Sequence, residues 1–255
     1  MKQPRERRDD QPAFVLHSYP YRETSLIVET LTHDYGRVAM VARGARRPRA
    51  ELRGVLQSFQ PLSLSWAGTG ELKTLAKAEW RGGLPLIAGP ALLCGFYLNE
   101  LLLKLLPRED PHPELFRHYG NALARLAATA DHAPVLRQFE VELLAALGYA
   151  LPLEREADTG RRIDPAARYY YAFERGPCVN AAEPGARYPQ VRGATLLALA
   201  THDYSAPEAA AEAKRLMREV LDYYLDKRPI FSRRIVRDLQ ALEEGESNGM
   251  NGDHD

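Results

Sequence analysis

Two cysteines in 255 residues, Cys94 and Cys178, are too few and too far apart for a disulfide framework. They read as free thiols in a reducing compartment. Long apolar runs are also missing: no stretch reaches the ~18 uncharged apolar residues that a membrane-spanning helix needs. The N-terminus, Met-Lys-Gln-Pro-Arg-Glu-Arg-Arg-Asp-Asp, has no apolar run behind it that would serve as a secretory signal. A soluble cytoplasmic protein without membrane contact is expected. Neither sign of charge is in excess, since 34 Lys+Arg balance 34 Asp+Glu. That balance excludes a chain that coats DNA by bulk positive charge. Catalytic signatures are absent as well. There is no Gly-x-x-x-x-Gly-Lys-Ser/Thr loop, and Gly68-Thr69-Gly70 is not followed by a helix. No His-Glu-x-x-His occurs, and the seven histidines do not pair at helical spacing. Glu109-Asp110, just before Pro111, reads as helix-end chemistry. Neither catalysis nor a cofactor is expected.

What is present is an ordinary globular balance, 45% hydrophobic and 27% charged, enough to build a core. The zero net charge hides an uneven distribution. Residues 1–83 carry 14 Lys+Arg against 9 Asp+Glu, residues 84–152 carry 5 against 7, and residues 153–255 carry 15 against 18. The first third, at +5, is where polyanions should meet the chain.

Residues 1–12 are charged and lack apolar spacing, so a disordered tail is expected there. Residues 13–83 then have β texture: Phe14–Tyr19, Ser25–Thr32, Arg37–Ala42, Leu56–Trp66 and Leu72–Trp80. Asp34 and Gly36 mark the turn of a hairpin between the second and third of these. Five short strands with one long loop suit a closed barrel of the oligonucleotide-binding (OB) type, because closure removes exposed strand edges. Phe59 and Trp80 are expected to fill its core. Past Gly82-Gly83 the period changes to three and four residues. Leu92, Leu93, Phe96, Tyr97, Leu101 and Leu105 define one helix, and elements around Leu115–Leu126 and Ala133–Leu147 define two more. Gly148 closes the last, so residues 84–152 are expected to be a helical bundle. Residues 153–244 begin irregularly and continue in helices over Gly193–Leu199, Pro207–Leu225 and Ser232–Leu242. Residues 245–255 are expected to be disordered. The fold class is thus α+β: an N-terminal OB-fold barrel, an all-α bundle and a mixed, mostly helical C-terminal region.

The strongest chemical feature is the loop Arg43-Gly44-Ala45-Arg46-Arg47-Pro48-Arg49-Ala50-Glu51-Leu52-Arg53, with five arginines and one acid. The guanidinium fork matches phosphate oxygens, and long inter-strand loops are where OB barrels take nucleic acid. Candidate DNA-binding residues are therefore Arg43, Arg46, Arg47, Arg49 and Arg53, with Tyr19 as an aromatic on which a base could stack. A second basic cluster runs from Lys227 to Arg237. It adds Lys227, Arg233 and Arg234 as phosphate contacts, or as a dock for an acidic partner.

In order and spacing, several segments resemble the RecO family of bacterial recombination mediators. They are Val15-Leu16, Tyr21-Arg22-Glu23-Thr24-Ser25, Tyr35-Gly36-Arg37, Arg43-Gly44-Ala45-Arg46, Tyr97-Leu98-Asn99-Glu100-Leu101-Leu102, Glu114-Leu115-Phe116 and Arg137-Gln138-Phe139-Glu140 through Gly148-Tyr149. The resemblance spans nearly the whole chain outside its tails. It implies binding of single- and double-stranded DNA, annealing of complementary strands without ATP, and help in loading the recombinase RecA onto DNA coated by single-stranded-DNA-binding protein. The implied partners are RecR and the acidic C-terminal tail of the coating protein, with RecF left open; the implied location is the nucleoid. The tail would be taken by Arg125, Leu136 and Arg137. Many relatives have four cysteines spaced as a zinc site. Here Glu156 and Thr159 stand at the first pair and Cys178 and Ala181 at the second. One cysteine cannot supply the four N/S ligands of a structural zinc, so no metal is expected, and packing, including Tyr169-Tyr170-Tyr171, must hold the segment. A protein-interaction adaptor without DNA binding is the rival reading, and a metal-dependent nuclease would need a carboxylate cluster that is not apparent. A salt titration separates binder from adaptor.

Overall fold

The computed structural model describes residues 6–180 and 188–235. Five strands, β1 (Arg7–Tyr21), β2 (Ser25–Thr32), β3 (Gly36–Ala42), β4 (Pro61–Ala67) and β5 (Leu72–Trp80), close into a barrel in the order β1-β2-β3-β5-β4. All neighbours are antiparallel except β3 and β5, which run parallel through Ala39–Leu72 to Val41–Thr74. A short helix, α1 (Glu51–Val55), lies between β3 and β4. This is an OB-like barrel.

The first strand departs from expectation. Residues 7–12 are not a loose tail: Arg7 and Arg8 pair with Ala67 and Trp66, and Gln11 and Pro12 with Leu64 and Ser63. Backbone pairing is indifferent to side-chain polarity, so a charged segment can close a barrel when its side chains face water. The expected disorder of residues 1–5 and 245–255 lies outside the described residues, as does the helix expected to reach Leu242 beyond residue 235.

β1 also explains how the barrel meets the helices. Ala13 and Val15 point into the barrel with Val28, Met40, Leu62, Leu64 and Trp66. Phe14 and Leu16, on the opposite face, belong to the core of the helical region, so Ala13-Phe14-Val15-Leu16 is buried on both sides. Phe14 meets Tyr119 edge-on at 5.1 Å. Phe59 packs into this second core, with its ring 5.0 Å from that of Phe96. Trp80 does not enter either core. It is 62% exposed, and its indole N–H donates to Gln60 Oε1 at 3.2 Å. The barrel interior is already filled by Trp66, and Trp80 stands at the end of the last strand.

The helical region contains α2 (Pro90–Leu105), α3 (Pro113–Ala128) and α4 (Ala133–Ala146), each with proline in its first turn. Asn99 on α2 is buried. Its Nδ2 donates to Leu16 O at 2.8 Å, and its Oδ1 accepts from the Tyr119 hydroxyl at 2.5 Å. At the other end of the junction, Arg37 Nε donates to Leu106 O and Glu109 N donates to Arg37 O, both at 3.0 Å. Buried Glu29 on β2 collects Tyr19, Arg37 and Arg108. Barrel and helices are thus joined by apolar contact and by satisfied buried polar groups.

The rest is a three-stranded sheet, β7-β6-β8, from β6 (Arg168–Ala172), β7 (Gly176–Cys178) and β8 (Gln190–Arg192), followed by α5 (Gly193–Thr201) and α6 (Pro207–Tyr224). Tyr169 and Tyr171 point inward from β6 into the same core as α2–α6. The helical bundle and the C-terminal region therefore share one core.

Candidate nucleic-acid and peptide interfaces

The basic loop is an ordered projection. Ala45 is fully buried under the barrel, Gly44 adopts φ +71°, and Arg46 N donates to Thr24 O at 2.9 Å. The turn after β1 therefore braces the loop. Arg46 Nη1 reaches the carbonyls of Arg22 and Glu23 at 3.3 and 3.4 Å. Arg43, Arg46, Arg47, Arg49 and Arg53 are all exposed. Among the described residues, none of the five is in an ion pair. Arg22, whose guanidinium lies 5.2 Å from the Tyr21 ring centre, joins this surface through the Arg46 contact. It was not singled out in the sequence because it is a lone arginine before an acid. Tyr19 is half-buried with its hydroxyl donated to Glu29 at 3.0 Å, and burial followed by Glu29 pushes its phenol up. It belongs to the barrel–helix junction.

The other candidates regroup. Leu136 and Arg137, expected to take a peptide tail, line one groove with Lys227, Arg233 and Arg234, which were expected to touch DNA. The groove has a volume of about 590 Å³. Leu93, Cys94, Leu136 and Ile230 supply apolar wall, while Lys214 and Arg218 of α6 and Arg228 add further charge. Among the described residues, Asp222 is the only acid lining it. Arg125 is not part of the groove; it lies on α3 and donates to Gln138. Lys214 and Arg218, one helical turn apart, could have been read as one basic face of α6. Tyr97 carried no signal beyond apolar periodicity.

The segment holding the four positions that the family resemblance pairs with cysteines, Glu156, Thr159, Cys178 and Ala181, does not fit a zinc ion. Ala181 lies outside the described residues, and the remaining three positions hold one sulfur. Glu156 is engaged: Oε1 accepts from the Tyr169 hydroxyl at 3.2 Å, and Oε2 accepts from the Thr159 hydroxyl. Tyr169 in turn accepts from Asp164 N at 3.0 Å. Burial, and then Asp158, push the Cys178 thiol up. Asp158 itself binds Arg175 and Val179 N, both at 3.2 Å. The expectation of packing alone is therefore corrected: hydrogen bonds from Glu156, Asp158 and Tyr169 hold the segment together with packing. Tyr169→Phe should cost about 1–2 kcal/mol, measured by thermal unfolding. Prolonged dialysis against a chelator should leave the wild-type midpoint unchanged.

The class is that of an OB-like barrel protein, its basic loop free of ion pairs among the described residues, seated on a helical region with a basic and apolar groove; no helix among the described residues is long and apolar enough to cross a membrane. Comparison with known proteins makes this specific. The family model described as "Recombination protein O N terminal" matches residues 8–84, and "Recombination protein O C terminal" matches residues 88–234. The DNA repair protein RecO of Aromatoleum aromaticum is 52% identical over 238 residues, covering 93% of this chain and 99% of that protein. Those of Nitrosospira multiformis and Dechloromonas aromatica are 48% and 52% identical, also over 93% of this chain. The chain belongs to the RecO family.

Proposed function

We propose that the chain serves DNA repair and homologous recombination by binding single- and double-stranded DNA through the barrel's arginine loop. In this reading it anneals complementary strands without ATP and helps load RecA onto coated DNA, with RecR as a partner and no bond-breaking chemistry of its own. The observation that carries it is the set of five exposed arginines, free of ion pairs among the described residues, on a loop braced by Ala45 and Thr24. Each phosphate they neutralise releases counterions, which favours binding and lowers repulsion between two strands.

The groove belongs to the protein-partner half of this reading. Its cations surround an apolar wall, which suits an acidic peptide with an apolar side chain better than a DNA backbone. The peptide proposed is the acidic C-terminal tail of the single-stranded-DNA-binding protein. Lys227, Arg233 and Arg234 are reassigned to it, and Arg125 is left outside.

The test is annealing of two complementary fluorescent oligonucleotides, each precoated with the host's single-stranded-DNA-binding protein, without ATP. Acceleration that disappears when the coating protein lacks its acidic tail is expected. Acceleration that persists without the tail would remove the groove from the mechanism. No acceleration over coated DNA alone would overturn the annealing function.

A further inference from the structure

Beneath the groove lies a fully buried acid, Glu140 of α4, that the docking of a peptide does not by itself explain. A buried carboxylate is tolerated only when compensated. Its Oε1 accepts from Arg137 and, at 2.6 Å, from the Tyr97 hydroxyl. A phenol has one proton. Since Tyr97 gives that proton to Glu140, its oxygen can only accept from its other neighbour, which is Arg233 Nη2 at 3.0 Å. Donation therefore runs in one direction, from Arg233 to Tyr97 to Glu140, each bond polarising the next. Burial, and then the negative charge of Glu140, push the Tyr97 phenol far above its ordinary range, so the hydroxyl stays protonated.

The two arginines on this acid are not equivalent. Arg137 is 8% exposed and its charge is balanced within the core by Glu140. Arg233 reaches the groove from the segment after α6, with its guanidinium 5.4 Å from the Tyr97 ring centre. Among the described residues its one carboxylate partner is Asp222 at 3.0 Å, which is half exposed. Two of its five donors are used in these contacts.

We infer that Glu140 and Tyr97 are positioning residues that hold Arg233 in the groove as the anchor for a carboxylate of an acidic peptide, with Arg137 serving as part of the floor. This inference rests on the acidic-peptide reading of the groove. It gives the buried tyrosine hydroxyl a role in recognition: it fixes where one guanidinium stands, at little entropic cost when the peptide arrives.

The experiment is a fluorescence anisotropy titration of the full chain with a fluorescein-labelled peptide made of the last ten residues of the host's single-stranded-DNA-binding protein. Wild type, Tyr97→Phe, Arg233→Ala and the double variant are compared. Arg233→Ala should weaken binding roughly tenfold. Tyr97→Phe should weaken it about threefold to fivefold, and the double variant should bind like Arg233→Ala alone. The far-ultraviolet circular dichroism spectrum of Tyr97→Phe should match that of the wild type, a readout that a general loss of folding would move. Tyr97→Phe binding as tightly as wild type, or losses that multiply in the double variant, would overturn the positioning role. Arg233→Ala binding like wild type would do the same while leaving the peptide reading in place. A wild-type chain that does not bind the peptide would overturn both.

Discussion

Replacing Arg43, Arg46, Arg47 and Arg49 together by alanine should lower affinity for single-stranded DNA by roughly two to three orders of magnitude near 0.1 M salt. Each phosphate contact on a single strand contributes about 0.7 to the slope of log K against log salt. Four lost contacts should therefore flatten that slope by about 3. The side chains are exposed, so stability should change little. Arg46 is the exception, since it also bonds the carbonyls of Arg22 and Glu23, and Arg46→Lys is the control that keeps charge while loosening the brace. Anisotropy titrations at several salt concentrations measure both quantities. An unchanged slope in the quadruple variant would show that the phosphates are bound elsewhere, and a shallow slope in the wild type would favour the adaptor reading.

This loop was legible in the sequence because its chemistry is contiguous: arginine, glycine and proline crowd into residues 43–53 between two strand-like segments. The groove was not, because its walls come from residues 93–97, 136–137, 214–222 and 227–234. Helical periodicity marks the apolar side of each piece, but it does not say which sides meet. Lys227, Arg233 and Arg234 therefore looked like a second DNA surface, although they face Leu136 and Arg137. Arg125, only twelve residues from Arg137 in sequence, points elsewhere because it sits on a different helix.

The fold shows the same division. Alternation and turn residues gave all five barrel strands, and apolar spacing gave α2 through α6. The short helix α1 and the sheet β7-β6-β8, in stretches read as loop and as irregular, escaped because each is too short to show a period, and so did two kinds of feature. One was backbone pairing without an apolar signature, as in Arg7–Gln11 closing the barrel against β4. The other was the burial of single side chains: Glu29 and Glu140 are charged and inside, whereas Trp80 is aromatic and outside. In each case the outcome is set by partners that residue type alone does not reveal: Arg37 and Arg108 for Glu29, Arg137 and Tyr97 for Glu140, and a barrel already filled by Trp66.

The junction between barrel and helices predicts a large single-residue effect on stability. Gly36 opens β3 at φ +62°, and a Cβ placed there would lie 2.0 Å from Asp110 O and 2.5 Å from its carbonyl carbon. Both obstacles are backbone, so no rotamer change relieves them. The neighbouring residue Arg37 is tied to the same linker through Glu109 N and Leu106 O. Gly36→Ala must therefore strain the left-handed turn, at about 1 kcal/mol, and push apart two bonded segments, at a further 1–3 kcal/mol. A loss of about 2–4 kcal/mol in urea unfolding is expected. Gly148→Ala is the matched control: its φ is +83°, but nothing stands within 4 Å of the added carbon, so only the conformational cost of about 1 kcal/mol should appear. If the two substitutions cost the same, the close approach of Asp110 to the β3 turn is not what holds the junction. If Gly36→Ala costs the larger amount, the barrel carrying the arginine loop and the helices carrying the groove are held together partly by a contact that only glycine permits.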